Sequence, residues 1–396
     1  MPVYIAACAV PDGGLFRAAR FRDVHLYQHY TEALLHGHVP YRDFFMEYPP
    51  GALVVFLPPA AATNAHYNAA FKALMALCGA ASLVLVARVL LQLRASATRL
   101  WTAVMLVALS PVALGPISLN TYDAWPALLT IAALALLLGG RDVLAFAVLG
   151  LAFAAKVYPV VLLPPALVWT WRTVGRRRAL AGLAAFAAIA LAIVTPFLVL
   201  APHGLLESFR SQGARGLQLE SLGAQLLVAA DHLGIYTVSV AHHTRGAVSY
   251  DLRGSLPQAL GALSSALQLV AVLGVAWLYA RGRDEGQRLA VAFAAAVAGF
   301  LAFSRFFSPQ YLVWLIPLVP LVESVAAWTL LAVALALDQV WFFHYHSLVT
   351  LGGRSWFVLA RDLLVVALFL VVLRQNALKH EHAVLLEDEL PLGVRP

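Results

Sequence analysis

The residues best suited to chemistry lie in one segment near the amino terminus. Between positions 22 and 50 the chain carries Asp23, His25, Glu47 and Tyr48 among other charged and aromatic residues. A carboxylate can accept a proton from a hydroxyl group. Aromatic rings and prolines stiffen a segment of this kind. We therefore expect the segment to line a polar cleft.

The rest of the chain is strongly apolar. Of its 396 residues 62% are hydrophobic and 12% charged, about half the charged share of a soluble domain, and the mean hydropathy is +0.80. Several apolar runs exceed the roughly 20 residues that cross a bilayer. This composition excludes a cytosolic enzyme, a secreted disulfide scaffold and a disordered chain. It indicates a polytopic membrane protein.

The apolar runs predict an all-α transmembrane fold of about nine to eleven spans, some of them broken by proline. Two shorter pieces, 142–155 and 157–171, flank Lys156. Helices broken in this way are tolerated beside a wet cavity. The sequence therefore predicts a cavity with loops on its outer face. The longer spans are expected near 68–93, 100–117, 122–139, 179–200, 257–280, 288–304, 309–322, 325–344 and 355–374.

The net charge of +7 lies largely in short arginine-rich loops such as Arg176–Arg178. We interpret these as cytoplasmic loops that face anionic membrane lipid, and not as a nucleic-acid site. Residues 1–375 then form a single transmembrane domain with outer loops at 20–67 and 201–256, followed by a disordered cytoplasmic tail at 376–396. The apolar residues 3–10 are too short to span, so we expect a first helix upstream of Met1.

Three further ionisable residues interrupt the apolar segments, and each has two interpretations. Lys156 and Arg305 either bind an anion or extend along the membrane to its surface. Asp123 either stabilises a helix N-terminus or adds a second acid to the cleft. Asp23 itself either acts chemically or pairs with an arginine just before it, at position 20 or 22.

Metal ligands are not indicated. The pairs His242–His243 and His344–His346 have no third ligand at a recognisable spacing. Cys8 and Cys78 lie too far apart in the sequence to indicate a cluster or a disulfide framework. We expect no cofactor.

Short motifs in four regions resemble those of glycosyltransferase family 87, the GT-C-type membrane glycosyltransferases of actinobacteria and their relatives. The first outer loop carries four of them, in Asp23–Tyr27, Leu35–Gly37, Val39–Tyr41 and Glu47–Gly51. The others are Tyr122–Leu129, Ala154–Pro159 and Ser308–Trp314. They occur in the expected order on one side of the predicted membrane.

This resemblance implies transfer of a hexose, usually mannose, from a polyprenyl-phosphate donor with inversion at the anomeric carbon. The acceptor would be a glycolipid or glycan of the cell envelope, reached from the non-cytoplasmic face of the plasma membrane. Asp23 matches the expected base. Lys156 and Arg305 would lie near the phosphate, and Glu47, Tyr48, Asp123 and Tyr311 would contact substrate.

The sequence departs from the family pattern after Ser308–Pro309. Mannosyltransferases of the family can carry His-His-Trp there, whereas this chain has Gln310 and Tyr311 before Trp314. The role of a histidine is then absent or passes to another residue, and His25 is nearest to Asp23 in the sequence. Gln310 is kept as a substrate-binding candidate.

A transporter or flippase of a lipid-linked sugar is the alternative interpretation. Such a protein also needs broken helices, a cavity and buried cations. Its polar residues should lie near the middle of the membrane, whereas here they are predicted mostly on the outer side. A scaffold without activity is a third interpretation.

Overall fold

The computed structural model describes residues 1–10, 23–243, 249–282 and 285–388. Within these residues the chain is almost entirely helical. The helices are α1 (Pro2–Ala9), α2 (Asp23–Leu35), α3 (Leu53–Phe56), α4 (Tyr67–Gln92), α5 (Ala97–Leu114), α6 (Ile117–Asn120), α7 (Ala124–Leu138), α8 (Asp142–Ala155), α9 (Leu163–Thr173), α10 (Arg176–Leu200), α11 (Pro202–Gly213), α12 (Leu222–His232), α13 (Ser255–Arg281), α14 (Gly286–Ala302), α15 (Val325–Phe342), α16 (Tyr345–Val349) and α17 (Ser355–Asp388).

Six of these helices are long and apolar enough to cross a membrane within the described ranges: α4, α5, α10, α13, α15 and α17. Shorter apolar helices, such as α7, α8 and α14, pack among them. α10 and α13 expose large apolar side chains, including Leu191, Val199 and Leu269. Water would not cover such surfaces, but lipid would. The chain is an all-α, multi-pass membrane protein, as the apolar runs predicted.

The core is built around α14. From Arg288 to Ala298 every residue of this helix is buried, and most are alanine or valine. A helix that is apolar on all sides is an interior helix, and small side chains let its neighbours approach closely. α9, α13 and α17 contact it.

α8 and α9 form a hairpin that carries Lys156 at its turn. The Thr170 hydroxyl donates a hydrogen bond of 3.4 Å to Asp142, so the two open ends of the hairpin meet. Lys156 follows α8 in an extended conformation, and a 3₁₀ turn over Tyr158–Leu162 leads into α9. Lys156 therefore lies at the other end of the hairpin, as predicted.

The predicted span at 309–322 is not one continuous helix. The chain forms two 3₁₀ segments there, Pro309–Trp314 and Val319–Leu321. Pro309, Pro317 and Pro320 lack the amide hydrogens that a continuous helix needs. The resulting turns bring Gln310 and Tyr311 to a cavity wall.

The segment 201–256 has more regular structure than a loop. It contains α11, α12 and a small antiparallel sheet of β1 (Leu217–Gln218), β2 (Ser239–His243) and β3 (Ser249–Arg253), in the order β1-β3-β2. β1 pairs with β3 through Leu217–Leu252 and Gln218–Asp251. At the carboxyl end of the chain the backbone of α17 is helical as far as Asp388, where the sequence predicted a disordered tail from residue 376.

Candidate active site

One cavity of about 660 Å³ gathers most of the predicted site residues. Its wall is formed by the start of α2, the segment before α3, the α8–α9 turn, the 3₁₀ turn after Ser308 and the segment 201–256. The predicted residues that line it are Asp23, Glu47, Tyr48, Lys156, Gln310 and Tyr311. Segments far apart in the sequence therefore meet in one polar space.

Asp23 is the first residue of α2 and faces the cavity. A helix N-terminus favours the ionised carboxylate, but removal of solvent by the surrounding protein is the larger effect and raises its pKa to about 7. This value includes the effects of the nearby carboxylates of Glu47 and Asp123, which also raise the pKa, and of Lys156, which lowers it. Asp23 can thus both accept and release a proton near neutral pH. The arginines at positions 20 and 22, its alternative partners, lie outside the described residues.

Aromatic rings support Asp23 from one turn further along α2. Tyr27 stacks on Phe56 with ring centroids 4.2 Å apart, and it contacts Tyr48 and Tyr122 edge to face at 5.5 and 5.8 Å. Such packing fixes ring positions more narrowly than a purely aliphatic cluster would. The start of α2 is therefore held against the cavity wall.

The segment that carries Glu47 and Tyr48 is held by polar contacts. Asp43 pairs with Arg42 at 2.9 Å and accepts a hydrogen bond of 2.7 Å from the Val39 amide. Asp43 is thus a local turn residue. The hydroxyl of Tyr41 donates to the Tyr48 carbonyl at 2.6 Å.

α11 supports the same segment from outside. The Ser208 hydroxyl donates a hydrogen bond of 2.7 Å to the Met46 carbonyl. A Cβ added at Gly204 would overlap the carbonyl oxygen of Tyr41, so only glycine allows α11 to approach this closely.

Lys156 is paired and enclosed. Its Nζ lies 2.5 Å from Asp123 Oδ1 and faces the rings of Tyr122, Tyr311 and Trp314 at 4.6, 4.9 and 5.1 Å. The Trp314 indole donates to the same Asp123 oxygen at 2.7 Å. Burial raises the pKa of Asp123, while Lys156 and Trp314 oppose that rise. Asp123 thus lies behind the wall as the partner of Lys156.

Three of the predicted site residues are not part of the cavity wall: Asp123, described above, His25 and Arg305. His25 is exposed on α2 and does not line the cavity beside Asp23. Arg305 donates to the Gly213 carbonyl at 2.8 Å and lies over the ring of Phe306, outside the lining residues. His346 is the histidine at the cavity, on its exposed rim. Residues two positions apart on a helix lie on nearly opposite sides of it, which separates His25 from Asp23.

The sequence missed a second polar group on the wall: Arg215, Gln218 and Glu220. Glu220 accepts a hydrogen bond of 2.5 Å from the Tyr345 hydroxyl, and burial raises its pKa to about 7, opposed by this bond and by the charge of Arg361. Arg215 donates to Gln212 at 3.1 Å and lies over Phe306. All three charged or amide side chains follow α11 in a segment whose β pairing no local pattern indicated.

A buried charge network lies behind Glu220. Arg361 on α17 is 2.8 Å from Asp362 and 3.4 Å from Asp338 on α15. It also donates to the backbone carbonyl of Glu220 at 2.7 Å. These contacts join two membrane helices to the segment that forms the cavity wall.

No group of three or more His, Cys, Asp or Glu side chains in the described ranges could hold a metal ion. The arrangement offers instead a proton acceptor, hydrogen-bonding groups and cations beside an apolar membrane domain. These are the parts that transfer of a glycosyl group from an anionic donor to a hydroxyl group would use.

Comparison with known proteins establishes the family of the chain. No curated protein matches the chain. Among solved structures it is similar to ArnT from Cupriavidus metallidurans, crystallised with undecaprenyl phosphate: identity is 15%, the TM-score is 0.49, and the alignment covers 99% of this chain and 81% of that one. The sequence model of glycosyltransferase family 87 matches residues 45–309, which is most of the chain, and Asp23 precedes this region. The chain belongs to glycosyltransferase family 87.

Proposed function

We propose that this membrane glycosyltransferase transfers a hexose, in the first instance mannose, from a polyprenyl-phosphate donor to a glycolipid or glycan of the cell envelope. The proposal rests chiefly on one cavity whose wall holds both Asp23, with a pKa of about 7, and a cationic side chain, Arg215. A lipid-phosphate donor fits an enzyme whose site adjoins membrane helices.

The reaction is a single displacement at the anomeric carbon. The acceptor oxygen attacks this carbon while the Asp23 carboxylate takes the hydroxyl proton. The bond between the anomeric carbon and the phosphate oxygen breaks, and its electron pair leaves with the polyprenyl phosphate. Attack from the face opposite to the leaving group inverts the configuration.

The leaving phosphate needs a cation, and the geometry favours Arg215 for this role. The charge of Lys156 is already balanced by Asp123 at 2.5 Å, and Arg305 lies outside the cavity lining. Arg215 lines the cavity, and its Nε is buried without a hydrogen-bond partner among the described residues. A guanidinium binds phosphate with a planar set of donors. Lys156 then supports the wall electrostatically.

The charge distribution supports a site on the non-cytoplasmic face. Arg172 donates to the Gly282 carbonyl at 2.9 Å, so two arginine-rich connections, around Arg176 and Arg281, lie at the same end of the molecule. Such connections favour the cytoplasmic side. Lys156 lies at the other end of the α8–α9 hairpin, and we place the site and the outer segments 20–67 and 201–256 on that side.

Membership of glycosyltransferase family 87 favours the enzyme over the transporter interpretation. Transport of a lipid-linked sugar would instead require a polar path that opens to both sides of the membrane. The described cavity is formed by residues at one end of the helices.

The test is transfer of labelled mannose from polyprenyl-phosphate mannose to a native lipid extract, using membranes that contain the full chain. Asp23→Asn should reduce transfer by about a hundredfold or more, because it removes the base and keeps the shape. Glu32→Gln is the matched control: Glu32 is on the same helix, accepts a hydrogen bond from Gln28 at 2.9 Å and does not line the cavity. Full activity of Asp23→Asn would contradict the assignment of the base, and absence of transfer by the unmodified protein would contradict the proposed donor.

A further inference from the structure

The proposed reaction leaves two acceptor oxygens on the cavity wall without a role. Glu220 and Gln218 both line the cavity and are only 3% and 2% exposed. Glu220 Oε2 and Gln218 Oε1 are buried and have no hydrogen-bond partner among the described residues. Buried acceptors without partners cost free energy unless a ligand or water supplies donors. Both oxygens are therefore free to accept from a bound molecule.

These two side chains are held in place by contacts on their other atoms. Glu220 Oε1 accepts from Tyr345 at 2.5 Å, and Gln218 Nε2 donates to the Ser308 hydroxyl at 3.0 Å. The backbone amide of Gln218 donates to the Arg305 carbonyl at 3.0 Å, and the Glu220 carbonyl accepts from Arg361 at 2.7 Å. Side chains fixed in this way present their remaining oxygens in a defined direction.

The chemistry of the free atoms defines the ligand. Two acceptor oxygens close together in the sequence require two donors, and neighbouring hydroxyl groups of a sugar supply them. Arg215, on the same segment, offers a buried N–H without a partner, and its charge acts on Glu220. This part of the wall therefore combines hydroxyl recognition with anion recognition, as a glycosyl phosphate requires.

The carboxyl that takes the proton belongs to a separate group on the wall. Asp23 is influenced by Glu47, Asp123 and Lys156, whereas Glu220 is influenced by Tyr345, Arg361, Asp338 and Arg215. Tyr311 stands within electrostatic reach of both groups. In an inverting displacement the base and the leaving group act on opposite faces of the sugar. This separation assigns the Glu220 group to the donor and the Asp23 group to the attacking hydroxyl.

We propose that Gln218 and Glu220 bind hydroxyl groups of the donor hexose and thereby select which hexose is transferred. The inference rests on the proposed function and deepens it. Loss of either oxygen should weaken binding of the donor and leave binding of the acceptor unchanged.

The experiment is steady-state transfer by the purified full chain with donor and acceptor varied independently. Glu220→Gln should raise the KM for the donor by about tenfold to a hundredfold, the range expected when a hydrogen bond to a charged group is lost, with the acceptor KM unchanged. Glu207→Gln is the control, since Glu207 is an exposed residue of the same segment that does not line the cavity.

Monodeoxy donors sharpen the test. With the unmodified protein, a donor that lacks the hydroxyl contacted by Glu220 should have a kcat/KM reduced by about the same factor as the Glu220→Gln substitution causes. With this deoxy donor, the Glu220→Gln substitution should reduce kcat/KM little further. A rise in the acceptor KM alone, or an undiminished deoxy effect in the variant, would overturn the proposal while the enzyme stays active. Absence of transfer by the unmodified protein would instead refute the proposed function and this inference together. If Glu220→Gln does not fold, Gln218→Ala makes the same test and leaves the Glu220 carboxyl and its bond with Tyr345 in place.

Discussion

The pH dependence of transfer follows from the position of Asp23. Its pKa is about 7, compared with 3.8 for a solvated aspartate. A protonated carboxyl cannot act as the base, so activity should rise as pH increases through this pKa. For a group with a pKa of about 7, the ionised fraction is about one tenth at pH 6 and about nine tenths at pH 8. We therefore expect kcat/KM to rise about tenfold over this interval, whereas a solvated aspartate would give a flat profile.

Neighbouring charges should move the midpoint in opposite directions. Glu47 raises the pKa of Asp23 and Lys156 lowers it. Glu47→Gln should therefore shift the midpoint to lower pH, and Lys156→Met should shift it to higher pH. The midpoint is independent of total activity, so it can be read even where a variant is slow.

The assay is kcat/KM between about pH 5.5 and pH 8.5 for the unmodified protein and these variants. Glu220 also has a pKa of about 7, so Glu220→Gln is an essential comparison. The rise should persist in that variant if Asp23 is the titrating base. A flat profile in the unmodified protein, or loss of the rise in Glu220→Gln, would refute the reasoning.

Three further outcomes test the supports of the cavity. Lys156→Met and Asp123→Asn should each destabilise the protein by about 3–5 kcal/mol, because each leaves a buried charge without its partner. The double variant should lose less stability than the sum of the two single variants. Additive losses of stability in unfolding experiments would contradict the pairing. Gly204→Ala should destabilise the protein by about 1–3 kcal/mol and reduce transfer, because α11 must move away from the adjacent loop. Gly213→Ala is the control, since an added Cβ there meets open space. This variant should resemble the unmodified protein in thermal stability and activity. Arg361→Met should lower the melting temperature strongly because it leaves buried carboxylates without a cation, and an unchanged melting temperature would argue against the network.

Apolar length alone predicted most of the membrane helices, because the bilayer core sets a minimum length for a span. The position of Lys156 also followed from topology, since it lies at the turn between two apolar pieces. The same topology could also have predicted the pairing of Lys156 with Asp123. Asp123 begins α7 and Lys156 follows α8, and consecutive antiparallel helices bring such positions together. The sequence predicted both residues as site candidates without joining them.

The second half of the cavity was beyond local patterns. Gln218 and Glu220 depend on β1 pairing with β3, more than 30 residues later in the chain, and on Tyr345 from after α15. Short strands with such partners have no distinctive periodicity. The predicted span at 309–322 is an apolar segment that its prolines divide, so the chain forms two 3₁₀ segments there.

Two buried charge groups hold the two parts of the cavity wall. Asp123 binds both Lys156 and the indole of Trp314, which joins α7, the α8–α9 turn and the segment after Ser308. Arg361 joins α17 to Asp338 on α15 and to the backbone of Glu220. Charges in a membrane domain are expensive and persist where they have partners or a function. Each group here fixes an element that also carries a cavity-lining side chain, so the charges maintain the geometry between the proposed base and the proposed donor subsite. The two buried charge groups therefore lie against the same cavity wall that they hold in place.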